Sequence, residues 1–188
     1  MQAVQFAAWV AAACDARGIP YTQLKLQKLC FYAYGVAASA NAEGELGAIE
    51  FEAWKHGPVL RPLWEALNPF KAEPIPPGSV GVAVPTYSDA TTEHLSDAID
   101  VYGRLDAWAL REESHLEKPW RDLENNLPSV ISSNEIRKHF LAKFEHGKVE
   151  PPQNFGLAGN FELDGIPSKF RFKTFGELAS FVRHLPRA

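Results

Sequence analysis

Residues 22–40 read TQLKLQKLCFYAYGVAASA. Leu26, Leu29, Cys30, Ala33 and Ala37 recur at i, i+3, i+4, i+7 and i+11, the spacing that lines one face of an α-helix. Thr22 follows Pro20 and offers a hydroxyl to cap the first turn, while Asn41 and Gly44 supply the stop. In this reading Lys25 and Lys28 fall at the flank of the apolar stripe.

Upstream, Phe6, Trp9, Val10 and Ala13 repeat at helical spacing until Gly18-Ile19-Pro20 ends the run. Downstream, Ile49 to Trp54 alternates apolar and polar positions, which reads as a short strand. Gly57-Pro58 breaks it, and Pro58 suits the first position of a helix carrying Leu60, Leu63, Trp64 and Leu67. A Pro-rich loop spans 71–80, and Val80, Val82 and Val84 predict a second strand that pairs with 49–54. Thr91 or Thr92 caps the next helix, with Leu95, Ile99, Tyr102 and Leu105 facing the core. Asp106 opens another with Trp108, Ala109 and Leu110. Ser132 and Glu135 form a capping box for a helix through Ile136, Phe140 and Phe144.

After 145 the composition turns loop-like. Phe161–Leu163 and Lys169–Lys173 predict a hairpin, and Thr174 with Glu177 a second capping box before Leu178, Phe181, Val182 and Leu185. The expected fold is α+β and predominantly helical. It has a helical body with a two-stranded sheet over 1–145 and a C-terminal hairpin-and-helix appendage over 150–188.

Composition narrows the function. The 188 residues are 46% apolar with five Trp, enough to bury a core. The balance of 19 Lys and Arg against 23 Asp and Glu leaves a net charge of −4. That sign argues against nucleic acid as the main partner, because phosphate neutralisation drives such binding. Cys14 and Cys30, the two cysteines, sit in helix-like stretches. With no basic leader and no apolar run of membrane-spanning length, the expectation is a reduced, cytoplasmic protein with no membrane contact.

Chemistry is sparsely signalled. The histidines are His56, His94, His115, His139, His146 and His184, and none has metal-knuckle or H-E-x-x-H spacing. No P-loop, G-x-S-x-G or G-x-G-x-x-G occurs. No catalytic residue, metal or cofactor is expected. A small hydrolase using His115 and His56 with Cys30 or Glu117 is the rival from another class.

Three motifs are more specific. Trp54-Lys55-His56-Gly57-Pro58-Val59 reads either as core packing around a chain break or as a helix start receiving an anionic partner group beside His56. Ser114-His115-Leu116-Glu117-Lys118-Pro119-Trp120 reads as a helix terminus with Trp120 packing back, or as a polar cluster framing a groove. Lys169-Phe170-Arg171-Phe172-Lys173 alternates basic and aromatic residues. It suits a half-buried strand, a base-stacking face, or an edge that pairs with an acidic protein partner.

These stretches resemble a known family. Leu24–Gly35 (LKLQKLCFYAYG) is similar to the helical signature of the Panacea-domain antitoxins, a bacterial and phage family. Phe51–Val59 (FEAWKHGPV) resembles the second signature. Ser114-His115 through Pro119-Trp120 resembles the third, with Ser where the family usually has Thr. The resemblance implies an antitoxin that binds a cognate, SocB-like toxin. In its SocA-like form it implies a proteolytic adaptor that also meets the ClpX unfoldase and delivers the toxin to ClpXP. Stoichiometric masking without proteolysis is the alternative. Lys28, Trp54, His56, Gly57, Pro58, His115, Glu117 and Trp120 carry over as candidate interface or core groups, and Lys169 and Arg171 join them from the appendage.

Overall fold

In the computed structural model, which describes residues 2–153 and 172–186, helices dominate and one small sheet sits against them. The chain runs α1 (Gln2–Ala16), α2 (Gln23–Ser39), α3 (Glu43–Leu46), β1 (Phe51–Trp54), β2 (Gly57–Val59), α4 (Arg61–Leu67) and a 3-10 turn at Asn68–Phe70. It continues through α5 (Asp89–Tyr102), α6 (Ala107–Leu116), α7 (Lys118–Arg121), β3 (Ser129–Ile131), α8 (Ser133–Lys143) and α9 (Phe175–Arg183).

The helix predicted over 22–40 forms, capped by the Thr22 side chain, which accepts from the Lys25 N–H. The chain leaves it through Asn41 at φ +64°, a left-handed turn that Asn tolerates. The expectation of a single apolar stripe does not hold. Helices α1, α4, α5, α6 and α8 all pack on α2, so nearly every residue from Gln23 to Ala38 is buried. Lys25 and Lys28, placed on the flank by periodicity, are inside with Gln23 and Gln27.

Each of these polar side chains finds a backbone partner. Gln23 donates to Trp64 O at 2.8 Å, Lys25 to Gly103 O at 3.0 Å and Lys28 to Pro58 O at 2.7 Å. Gln27 donates to Leu60 O and accepts from Leu60 N, at 3.2 and 2.7 Å. Burial of such groups is tolerated because the hydrogen bonds replace the lost water.

The apolar half of α2 builds the aromatic core. Phe31 meets Tyr32, Phe51 and Phe140 edge-on, each at 5.5 Å between ring centroids. Tyr32 stacks on Tyr102 at 3.8 Å. Gly35 lets α8 come close, since a Cβ there would overlap the Phe140 ring.

The sheet differs from expectation in two ways. Its order is β2-β1-β3 and all pairs are antiparallel. Gly57-Pro58-Val59 does not open a helix. It is the return strand of a hairpin in which Trp54 pairs with Gly57 and Ala53 with Pro58, leaving Lys55-His56 as the loop. Gly57 sits at φ +94°, a conformation that favours glycine. Pro58 is tolerated because β2 is an edge strand. The helix-start proline is Pro62, in the first turn of α4.

The predicted strand at Val80–Val84 is absent. Gly78 and Gly81 both take positive φ there, and Val82 and Val84 are exposed. The strand that pairs with β1 on its other edge is Ser129–Ile131, with Phe51 opposite Ile131.

Most helix caps match expectation. Asp106 caps α6, and Ser132 with Glu135 forms the capping box of α8. The cap of α5 is Ser88, whose hydroxyl accepts from the Thr91 N–H, leaving Thr91 inside the helix. Thr174 caps α9 by accepting from Glu177 N, but the Glu177 carboxylate accepts from Lys173 N rather than from the cap residue.

Helix α9 docks on α5. Arg183 pairs with Asp97 and, at 2.7 Å, with Asp100, which Arg17 also reaches at 2.8 Å. The Arg104 guanidinium donates to Val182 O, Leu185 O and Pro186 O, a cation seated at the negative end of the helix dipole. Most of the predicted hairpin, including Lys169 and Arg171, lies outside the described residues. Phe172 bridges Val149 through reciprocal backbone hydrogen bonds of 2.7 and 3.2 Å.

The α2–α8 contact makes a sharp prediction. Gly35→Ala should destabilise the fold by about 1–3 kcal/mol through overpacking against Phe140. Gly44→Ala, where a Cβ meets nothing within 4 Å, should be near neutral in the same urea titration.

Candidate functional site

The hairpin β1–β2 lies across α2 and against α6, and that crossing assembles most of the residues marked by sequence. Pro58 O receives the Lys28 ammonium from below. A Cβ on Gly57 would overlap the Ser114 hydroxyl and come within 2.7 Å of Lys28 Cε. Gly57 is therefore required twice, by its backbone angle and by the space its missing side chain leaves for α2 and α6.

The loop residue His56 is exposed and accepts from Arg111 Nε at 3.4 Å, through Nδ1. Its ring meets Trp108 edge-on at 6.1 Å, and the Arg111 guanidinium lies 6.0 Å from the Trp108 ring centre. Trp108, read from sequence with the apolar residues of its helix, is 61% exposed. Asp106 holds the start of that helix by accepting from Trp108 N and Ala109 N at 2.8 Å each.

A second group follows the end of α6. His115 stacks on Trp120 at 3.7 Å with rings 12° apart. Trp120 is buried and its indole N–H donates to Trp54 O at 2.9 Å, so the third signature is stitched to the first hairpin strand. Trp54 is half-buried, packed on Trp64 at 5.4 Å and donating to Glu52 at 2.8 Å. Arg61 pairs with the same Glu52 at 2.6 Å and lies over the Trp54 ring.

Glu117 belongs elsewhere. It is only 3% exposed and turns towards α8, where His139 Nε2 lies at 2.6 Å and Lys143 pairs with the other oxygen. Burial opposes its charge, but His139 and Lys143 outweigh that cost and hold the carboxyl below its ordinary range. Glu117 thereby ties the α6–α7 break to α8 instead of facing His115.

The electrostatics of the hairpin crossing are those of crowded bases. Burial, reinforced by Arg111 and opposed by Cys30, brings the Lys28 ammonium down to about 7. Burial and repulsion from Arg111, Lys28 and His56 push His115 down to about 4 against the pull of Glu112. Desolvation, then Arg111, Lys55 and Lys28, lower His56 as well. His115 is consequently neutral at pH 7, and its buried Nε2 has no hydrogen-bond partner among the described residues.

Neither Cys30 nor Glu117, the groups set beside His115 and His56 in the hydrolase reading, is placed as that reading needs. Cys30 is fully buried, and burial holds its thiol well above the ordinary value, opposite to what a nucleophilic thiolate needs. Among the described residues no group of three or more His, Cys, Asp or Glu is placed to hold a metal ion. No helix among them is long and apolar enough to cross a membrane. What the surface does offer is a rigidly supported loop, a half-exposed Trp–Arg pair and an exposed Trp, a composition suited to gripping another protein.

The sequence marks Lys28 in the first signature and His56, Gly57 and Pro58 in the second as separate candidates; the fold brings Lys28 beneath Pro58, a contact its expected place on the helix flank did not foresee. Sequence reading missed Arg111, Ser114 as the residue facing Gly57, and the His139–Lys143 clasp on Glu117. Arg111 carries no local signal, because only the hairpin crossing brings it to His56.

Two consequences can be measured. A buried Lys with a lowered pKa binds its proton more weakly in the folded state. Folding stability should therefore rise with pH from about 7 towards 10, while the unfolded chain still holds the proton. Lys28→Met should remove that rise, seen as a pH-dependent difference in urea midpoints between the two proteins. Glu117→Gln should cost about 2–3 kcal/mol by leaving Lys143 and His139 without their anion. The loss should shrink when Lys143 is replaced by Met in the same background.

The matched stretch coincides with these elements. A family model described as Antitoxin SocA-like, Panacea domain, matches residues 26–121, from the first turns of α2 to the end of α7. No curated protein and no solved structure gives a match. The family model covers just over half of the chain and includes the α2 core, the β1–β2 hairpin and the His115–Trp120 stack. This chain belongs to the SocA-like antitoxin family and carries its Panacea domain.

Proposed function

We propose that this protein is a cytoplasmic antitoxin that binds a cognate, SocB-like toxin and acts as a proteolytic adaptor delivering it to the ClpXP protease. The observation that carries the reading is the family match over α2–α7, the stretch that builds the hairpin crossing. Family membership brings the toxin partner, and the crossing supplies a prearranged surface on which to bind it. Trp120 is held by its hydrogen bond to Trp54 O and its stack on His115, Trp54 by Glu52 and Trp64, and His56 by Arg111 and the Trp108 ring, so little side-chain freedom is lost on binding.

An adaptor has to touch cargo and unfoldase together, and tethering raises the local concentration of the toxin at the protease. In this proposal the Panacea domain occupies residues 1–145 and binds the toxin. The part beyond 150, with α9 and with Lys169 and Arg171, supplies partner-specific contacts. The protein itself survives delivery because one core is continuous from α1 through α9.

The deciding measurement is toxin half-life after translation is blocked, with and without this protein, in cells replete in or depleted of ClpX. The adaptor reading expects a shorter half-life that lengthens again on ClpX depletion. Protected cells with a stable toxin would point to masking. Cells that stay poisoned would overturn both versions.

A further inference from the structure

The two edges of the sheet end differently. On β2 the backbone groups that turn away from β1 are taken by α2. Pro58 O accepts from Lys28 at 2.7 Å, and Leu60 exchanges two hydrogen bonds with Gln27. With Pro58 and Leu60 facing α2, the alternation of an antiparallel ladder turns Gly57 and Val59 towards β1. Their partners Trp54 and Glu52 therefore direct their backbone groups to β2. Phe51 and Ala53 are left to bond β3, through Ile131 and Ser129. Val130, between those two, then turns its N–H and C=O outward. Among the described residues no hydrogen bond from outside the sheet reaches either group. The Val130 side chain is 57% exposed.

This open slot is one residue long. Before it, Pro128 has no N–H to offer. After it, the Ser132 N–H donates to Glu135 and Ser132 O accepts from Ile136 N. An occupant must be extended backbone that exchanges two hydrogen bonds with Val130 alone, beside an apolar side chain, so a single register is available. Charge narrows the choice. Residues 125–134, NNLPSVISSN, are all uncharged. Glu52, opposite Val130, is paired with Arg61 at 2.6 Å, and Glu135 is turned back onto the N–H and hydroxyl of Ser132. A charged strand finds no free counter-charge on this edge, whereas an uncharged one meets it without penalty.

The same stretch of a second copy meets every one of these requirements. Turned about a two-fold axis at Val130, it runs antiparallel to the first. Each Val130 N–H then meets the other Val130 C=O, and the two exposed side chains lie on one face with Cα atoms about 5.5 Å apart. We propose that β3 is a self-pairing edge, through which two copies join the order β2-β1-β3 into one continuous sheet. A three-residue strand buries little surface, so the dimer is weak and forms at high concentration. The contact is independent of the toxin-binding reading.

The test is sedimentation equilibrium of the full-length protein from about 10 μM to about 1 mM. The mean mass should rise from 20.9 kDa towards twice that value. Val130→Pro removes the outward N–H without touching the bonds to β1, and should hold the mass at the monomer value with thermal unfolding unchanged. Val130→Lys sets two ammonium groups against each other across the axis and should do the same. It keeps the test open if the proline variant does not fold. Leu141→Lys, at an apolar position of α8 that is 48% exposed, should leave the dimer intact. A wild type that stays monomeric throughout overturns the proposal, and so does a dimer that survives Val130→Lys or is lost in Leu141→Lys. If the wild type stays monomeric and Val130→Lys loses protection of cells, the edge belongs to the toxin instead of a second copy.

Discussion

The buried polar side chains of α2, each hydrogen-bonded to the backbone of a neighbouring element, are the constraint on which the rest of this structure depends. Gln27 grips both backbone groups of Leu60, at the point where β2 gives way to α4. One turn away in space, Lys28 holds Pro58 O. Gln23 and Lys25 do the same for Trp64 and Gly103. An ammonium or amide in the interior costs several kcal/mol when unpaired. That cost penalises any arrangement in which the hairpin or α5 drifts from its partner on α2. The central helix thereby specifies position as well as supplying apolar area.

The functional surface inherits that rigidity. With Pro58 and Leu60 anchored, the Lys55-His56 loop is carried onto α6, and Gly57 admits Ser114 and Lys28 where any side chain would collide. On the far side, Trp120 ties back to Trp54 O and Glu117 clamps α8 through His139 and Lys143. The three signatures are therefore one connected unit rather than three separate sites. A damaging substitution at Trp54, Trp120 or Gly57 acts on this shared support before it acts on any partner. Trp108, by contrast, sits outside the support and presents a ring to solvent.

Much of this was legible in advance where the cause is local. Thr22, Asp106, Ser132 and Thr174 were recognised as caps because a side-chain oxygen and a nearby orphan N–H lie within a few residues of each other. The helix-dominated class followed from spacing alone. Readings failed where the cause was remote. Pro58 reads as a helix start because proline suits that position as well as an edge strand, and only pairing with Ala53 decides between them. Ser129–Ile131 carries no strand signal because three residues are too few for a periodic pattern, and β1 recruits them. Val80–Val84 has the alternation of a strand, but Gly78 before it and Gly81 within it turn the chain, and no strand among the described residues pairs with it.

By itself the sequence determined the helical class, most helix boundaries, the balance of charge and the three motifs that mark the family, because all of these depend on residues close together along the chain. Tertiary structure alone decided that Lys28 is buried and hydrogen-bonded rather than solvated, that Glu117 faces α8 instead of His115, and that Trp108 and Arg111 share a surface with His56. The physical reason is the same in each case. A charged or aromatic side chain takes its role from the groups that meet it across the fold, and those groups come from elements tens of residues away whose approach is set by packing around α2.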